Sequence, residues 1–228
     1  MIFETFQQKE TSTKPVIHNV HILDASGSMS GSKYATAKQS IRDEYEKLKE
    51  NTDVIFTETI IAFQSPGTFW NCKTKITEVC FMQSLENVEF YFPLAEGNTP
   101  LLEAIGYTLN KLSSFVKETD RIIITIFTDG VENASQGEYS LKEQGNLKIK
   151  ELISELEKKN FTVTFMGTER DVETVKNLLK IHSNNTIVHE NTSESIHNVY
   201  TQRQRSLTNY SKNVAFSSLS STDSFFKQ

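Results

Sequence analysis

The chain has 228 residues, 37% hydrophobic and 10% aromatic, with a formal net charge of −5. These values suit one globular domain, and an acidic balance without a dense Lys/Arg cluster excludes a nucleic-acid surface. No apolar run reaches membrane-span length, the N-terminus lacks a signal-peptide pattern, and Cys72 and Cys80 are too few for a disulfide framework or a zinc site, so the expectation is a soluble cytoplasmic protein without nucleic-acid or membrane partners.

Residues 1–14 read as a polar leader. Val16 to Leu23 is a strand, made unusually polar by His18, Asn19 and His21, whose histidines are read as packed side chains rather than ligands. A helix follows over Ser32 to Glu50, with Ala37, Ile41, Tyr45 and Leu48 as its buried stripe. Val54 to Phe63 is a second strand, stopped by Ser65-Pro-Gly67. Thr74 to Val79 and Val88 to Phe92, around a turn at Gln83 to Asn87, suggest a short antiparallel edge element, with Phe90-Tyr-Phe92 as core. A disulfide between Cys72 and Cys80 across such a hairpin stays open.

Glu96-Gly-Asn98 is a turn, and Thr99 then caps a helix that starts at Pro100, with Leu101, Ile105, Leu109, Leu112 and Val116 inward. Arg121 to Thr128 is nearly continuous and β-branched, as a strand buried on both faces requires, and it runs into Asp129-Gly130. After a polar loop over Glu132 to Gly145 come a helix near Leu147 to Lys159 and a strand marked by Phe161, Val163 and Phe165. A helix with Val172, Val175, Leu178 and Leu179, a strand over Thr186 to His189, and a helix with Ile196, Val199 and Tyr200 complete the series. This alternation predicts an α/β fold: a doubly wound, mostly parallel, Rossmann-like sheet of about six strands, one a short antiparallel edge strand, flanked by helices. The domain is placed at 15–205, and residues 206–228, with seven serines, read as a flexible tail.

Chemistry concentrates in three loops. Asp24-Ala-Ser26-Gly-Ser28 puts one carboxylate and two hydroxyls where a strand hands over to a helix. Thr99 and Asp129 each follow a turn or strand end of the same kind. If the strands ending at Leu23 and Thr128 are neighbours, all five side chains meet at the switch point of the sheet, and such hard oxygens suit Mg²⁺ or Mn²⁺. The plainer alternative makes Ser30, Ser32 and Thr99 helix caps and Asp129 a turn residue.

Asp24-x-Ser26-x-Ser28, Thr99 in Gly-Asn-Thr-Pro-Leu and Asp129 in Thr-Asp-Gly together resemble a von Willebrand factor type A domain over roughly residues 15 to 205. The resemblance implies a metal-ion-dependent adhesion site made of these five residues. It implies that Ser26 and Ser28 bind the cation directly, that Thr99 binds directly when a ligand is engaged, and that Asp24 and Asp129 act largely through water. The open coordination position would take an Asp or Glu carboxylate from a partner protein. The stretch Phe127 to Ser135 is also similar to stand-alone A-domain proteins of bacteria and their phages. Glu103 departs from the Asp common at that position.

The expected function is therefore metal-dependent protein binding without catalysis. A Mg²⁺-dependent phosphoester hydrolase is the alternative, but position 26 is Ser where an Asp-x-Asp phosphatase carries its second carboxylate, and no P-loop is present. A structural protein with an unused metal site is the third reading.

Overall fold

The computed structural model describes residues 14–67, 73–86, 89–216 and 224–227. Its strands are β1 (Val16–Asp24), β2 (Ile55–Gln64), β3 (Lys75–Ser84), β4 (Arg121–Phe127), β5 (Phe161–Gly167) and β6 (Thr186–Val188), in one sheet of order β3-β2-β1-β4-β5-β6. Every pairing is parallel except that of β2 with β3. Parallel neighbours need long crossovers, and these are supplied by α1 (Ser32–Lys49), α2 (Leu101–Ser113), α3 (Gly145–Glu157) and α4 (Glu169–Leu179). Helix α5 (Ser193–Ala215) closes the series. The expected doubly wound α/β sheet is what the chain forms.

The period-2 geometry of the strands divides the core in two. On β4, Ile123 and Phe127 join one cluster with Ala37 and Ile41 of α1 and Ile196 and Leu207 of α5. Ile122, Ile124 and Ile126 join the other with Leu101, Ile105, Leu109 and Leu112 of α2 and Ile149 and Ile153 of α3. Each such aliphatic side chain, once buried, contributes about 1.5–3 kcal/mol, which explains why the apolar stripes fix helix placement so firmly. Val116 packs on the second cluster from beyond the end of α2.

The polar residues of β1 are also accounted for. Asn19 and His21 face α1 and α5, where Arg203 of α5 is wholly buried. Arg203 donates to Thr125 Oγ1 (2.6 Å), to Asn19 Oδ1 (2.7 Å) and to Glu44 of α1. Asn19 Nδ2 donates to Glu58 Oε2 (2.9 Å), and His21 Nε2 lies 3.1 Å from Glu44 Oε1. Burial alone would raise Glu44, but Arg203 and His21 outweigh it and hold its carboxyl at about 2. Burial, then the Arg203 charge, lowers His21 to about 4, and burial, then Glu44, raises Glu58 well above the usual carboxylate range. His18 points to the opposite face, with Nε2 3.0 Å from Asp120 Oδ2. Both histidines are packed polar residues.

The structure corrects four details. The edge element is one ten-residue strand, β3, and Glu89 to Phe92 form no strand, while Val88 lies outside the described residues. Phe90 and Phe92 instead pack edge-on against Tyr45 (5.0 Å between centroids) and Tyr34 (6.5 Å) of α1. Helix α2 starts at Leu101 with Pro100 in the cap position, so Thr99 precedes the cap. The boundary at 205 falls inside α5, which buries Ser206, Leu207, Tyr210, Ser211 and Val214. Phe225 and Phe226 are buried too, so these parts of 206–228 are docked rather than flexible. The leader at 1–13, Cys72 with its possible pairing, and residues 217–223 lie outside the described residues.

Candidate metal centre

The winding of the chain reverses between β1 and β4. From β1 it steps to β2 and β3 on one side, then returns to β4, β5 and β6 on the other. Leu23 is in register with Phe127, so the loops that follow leave the sheet side by side and open a crevice between them.

Asp24 closes β1 and is wholly buried. Its Oδ1 accepts the Ser26 N–H at 2.7 Å, and its Oδ2 accepts the Thr128 hydroxyl. A 3₁₀ turn over Gly27–Met29, anchored by the buried Met29 side chain, brings Ser26 Oγ and Ser28 Oγ to 3.0 Å. Ser28 Oγ then donates to Asp129 Oδ1 at 2.6 Å.

The third loop is held by its backbone. Gly27 N donates to Gly97 O (2.9 Å), and Ser65 and Asn98 exchange a pair of backbone hydrogen bonds at 3.0 Å. Gly97 has φ +74°, and a Cβ there would overlap the Ser65 carbonyl, so glycine is required on both counts. Thr99 is gripped from both sides by Asn133, whose Oδ1 accepts Thr99 N (2.8 Å) and whose N donates to Thr99 O (3.2 Å). Glu132 and Ser135 serve the free N–H groups of α2, through Leu102 N to Glu132 Oε2 (2.7 Å) and Glu103 N to Ser135 Oγ (3.0 Å), which suits the positive end of a helix. The cap positions of α1 and α2 are Gly31 and Pro100. Ser30, Ser32 and Thr99 are thus not cap residues of these helices.

Gly130 shows where the hydroxyls and carboxylates meet. A Cβ on it would lie 3.1 Å from Thr99 Oγ1, 3.5 Å from Ser28 Oγ and 3.9 Å from Asp24 Oδ2. Oxygens from the Asp24–Ser28 loop and the Thr99 loop thus surround one point beside Gly130 of the third loop, and Ser26 and Asp129 are linked to it through Ser28. All five residues singled out in the sequence come together. Among the described residues no group of three His, Cys, Asp or Glu side chains is arranged to hold a metal ion, and the cluster consists of two carboxylates and three hydroxyls, a hard-oxygen set that fits Mg²⁺ or Mn²⁺ better than a thiolate-seeking ion.

Its electrostatics also favour a cation. Burial pushes the Asp24 carboxyl up to about 7, against the pull of its hydrogen bonds from Thr128 and Ser26. A carboxylate so placed needs a positive partner or a proton. A positive group stands beside them: Lys33 Nζ pairs with Asp129 Oδ2. Sequence reading missed Lys33, Thr128, Asn133 and Glu132. The dense polar run from Thr128 to Ser135 was the available signal for the last three, and Lys33 had none, since its partner lies 96 residues away.

No family profile matches the chain, and no curated protein matches it. Solved structures do resemble it. Proximal thread matrix protein 1 from the mussel byssus superposes with a TM-score of 0.58 at 14% identity, covering 83% of this chain and 47% of that one. A structure of the same protein described as having a zinc-occupied MIDAS motif gives 0.57 at 13% identity, covering 83% and 47%. The pilus adhesin SpaC from Lactobacillus rhamnosus GG, in an open conformation, gives 0.58 at 11% identity, covering 90% and 30%. The chain spans less than half the length of each. At these identities the likeness is one of fold, a von Willebrand factor A-like α/β domain.

Proposed function

We propose that this protein is a metal-dependent protein-binding module, with Asp24, Ser26, Ser28, Thr99 and Asp129 holding a divalent cation, Mg²⁺ or Mn²⁺. The observation that carries the proposal is the meeting of Asp24, Ser28 and Thr99 oxygens from two loops beside Gly130 of the third, with Ser28 Oγ donating to Asp129. A bound divalent ion would supply a positive centre with room for one outside carboxylate, from an Asp or Glu of a partner protein. Asp24 and Asp129 provide the negative charge that retains a cation, and the neutral Ser26, Ser28 and Thr99 leave much of its positive charge uncompensated. Thr99 stands on its own loop, set by Asn133, and so can tighten separately from the Asp24 loop.

The fold neighbours support the same reading, one being an adhesin and another a byssus matrix protein described with a zinc-occupied MIDAS motif. The narrower likeness to stand-alone bacterial and phage A-domain proteins, a cytoplasmic location and the absence of catalysis belong to this proposal. Among the described residues no helix is long and apolar enough to cross a membrane.

The metal is tested by calorimetry. Mg²⁺ or Mn²⁺ should bind wild type at one site, and binding should disappear in an Asp24→Ala, Ser26→Ala, Ser28→Ala variant. The partner is tested by capture from host lysate in Mg²⁺ and in EDTA, followed by titration of the captured protein. Thr99→Ala should weaken that partner by about 1.5–3 kcal/mol, roughly 10- to 100-fold, and should weaken the metal less. Partner binding indifferent to both EDTA and Thr99→Ala would refute the mechanism.

A further inference from the structure

The geometry points to Lys33 as a tethered cation that competes with the divalent ion for Asp129. This rests on the metal-centre proposal and adds to it the residue that sets cation affinity. Lys33 is the second residue of α1, directly after the loop that carries Ser26 and Ser28. Its Nζ pairs with Asp129 Oδ2 while Ser28 Oγ donates to Oδ1, so the β1–α1 segment engages both oxygens of Asp129.

The two partners differ in freedom. The Asp129 side chain has no exposed surface, whereas that of Lys33 keeps 20% of its own. A four-carbon stem lets the ammonium swing to solvent while the helix stays wound. Asp129 has no matching route to solvent, because its side chain is wholly buried just beyond β4.

Charge decides the rest. With both carboxylates ionised the crevice carries two negative charges, of which the ammonium offsets one. A divalent ion would bring two positive charges into the same space, and the ammonium and the ion repel there. The ammonium therefore holds Asp129 when no metal is bound and yields its place when one arrives. Withdrawn but still tethered nearby, it leaves the mouth of the site net positive, which favours an incoming carboxylate over a neutral ligand.

The test uses Lys33→Met, which keeps the length of the stem and removes the charge, beside Lys33→Arg, which keeps the charge. In calorimetric titrations with MgCl₂ and with MnCl₂, Lys33→Met should bind both ions roughly 10-fold more tightly than wild type, and Lys33→Arg should stay nearer to wild type. In thermal unfolding, Lys33→Met should melt below wild type in EDTA, and saturating Mg²⁺ should close the gap. A lysine with a purely structural role would leave the gap unchanged. In EDTA, Asp129→Asn combined with Lys33→Met should cost less than the two single changes together.

Equal or weaker metal binding by Lys33→Met, or a melting gap that Mg²⁺ does not close, would overturn the proposal. Should wild type and variants all fail to bind either ion, the metal-centre proposal falls and the competition with it. A sub-additive Lys33/Asp129 pair in EDTA would then still report the ion pair, so the two failures are told apart.

Discussion

Arg203 brings a full positive charge to a place with no solvent, and replacing it by Met should be among the most damaging single changes in the core. Arg203 donates three hydrogen bonds, to Thr125, Asn19 and Glu44. Thr125 keeps a second partner in Thr164 Oγ1 at 2.8 Å, but Glu44 loses the positive charge that holds it ionised. Removing one member of a buried ion pair costs about 3–5 kcal/mol, and the apolar Met returns part of that. In a domain of this size each kcal/mol shifts the melting temperature by about 2–4 °C, so a fall of roughly 6–20 °C is expected. The assay is urea unfolding at pH 7, followed by far-UV circular dichroism, on Arg203→Met, Glu44→Gln and the double variant. The double variant should be more stable than additivity predicts by about 1–3 kcal/mol, because it no longer buries a lone charge. A single-variant loss below about 1 kcal/mol, or strict additivity, would refute the view that this pair joins α5 to α1.

Three other predictions follow from particular contacts. Phe225→Ala should cost about 3–5 kcal/mol in thermal unfolding, because the ring is fully buried against Tyr210 (6.0 Å between centroids) and Phe226 (5.1 Å); an unchanged melting temperature would return it to a loose tail. Gly97→Ala should cost at least about 1–3 kcal/mol for its left-handed backbone and should weaken Mg²⁺ in calorimetry, whereas Gly137→Ala, also at positive φ but with open space around its Cβ, should leave Mg²⁺ affinity unchanged. For pH, the folded-state pKa of His21, about 4, lies below its ordinary 6.5, so its stabilising contribution is complete above 6.5 and is lost as pH falls through 4. Glu58 is raised and acts with the opposite sign, contributing below 4.5 and losing that contribution as pH rises. Wild type minus His21→Gln, measured by urea unfolding at pH 7 and pH 5, isolates the histidine, and that difference should shrink at pH 5.

The five site residues were legible because each sits at a strand end or turn, and the β-branched run of Arg121 to Thr128 identified the central neighbour of β1. Lys33 was invisible because its partner Asp129 is 96 residues away, and no local pattern links the two. The edge strand was misread because alternation does not mark where a run ends, and Met82, at φ +46°, continues a strand that local propensity would stop. The serines after residue 205 suggested disorder, yet Ser206 and Ser211 are small residues packed where α5 lies on α1, and Ser211 Oγ accepts from Asn51 Nδ2 at 3.1 Å. Composition reports polarity, not the narrow gap between two helices that only a small side chain fits. In the same way, the polar character of β1 signalled a departure from the usual strand without revealing Arg203 as its partner.

Lys14 and Phe225 both lie at the base of the sheet. Lys14 Nζ donates to Thr52 O at 2.6 Å, just before β2 begins, and Pro15 O accepts from N of Ile55, the first residue of β2, at 2.8 Å, while Phe225 N donates to Asn185 Oδ1 at 2.9 Å, just before β6 begins. The Asp24 loop is at the other pole. A protein held at Lys14 or at Phe225 would present that loop on the opposite side. If something pulls on Ser26 and Ser28 while residue 14 is held, the load travels down β1 itself. The force path is then the covalent backbone of Val16–Asp24, gripped on both flanks by β2 and β4, and the ladders beside it serve as splints and not as the rope.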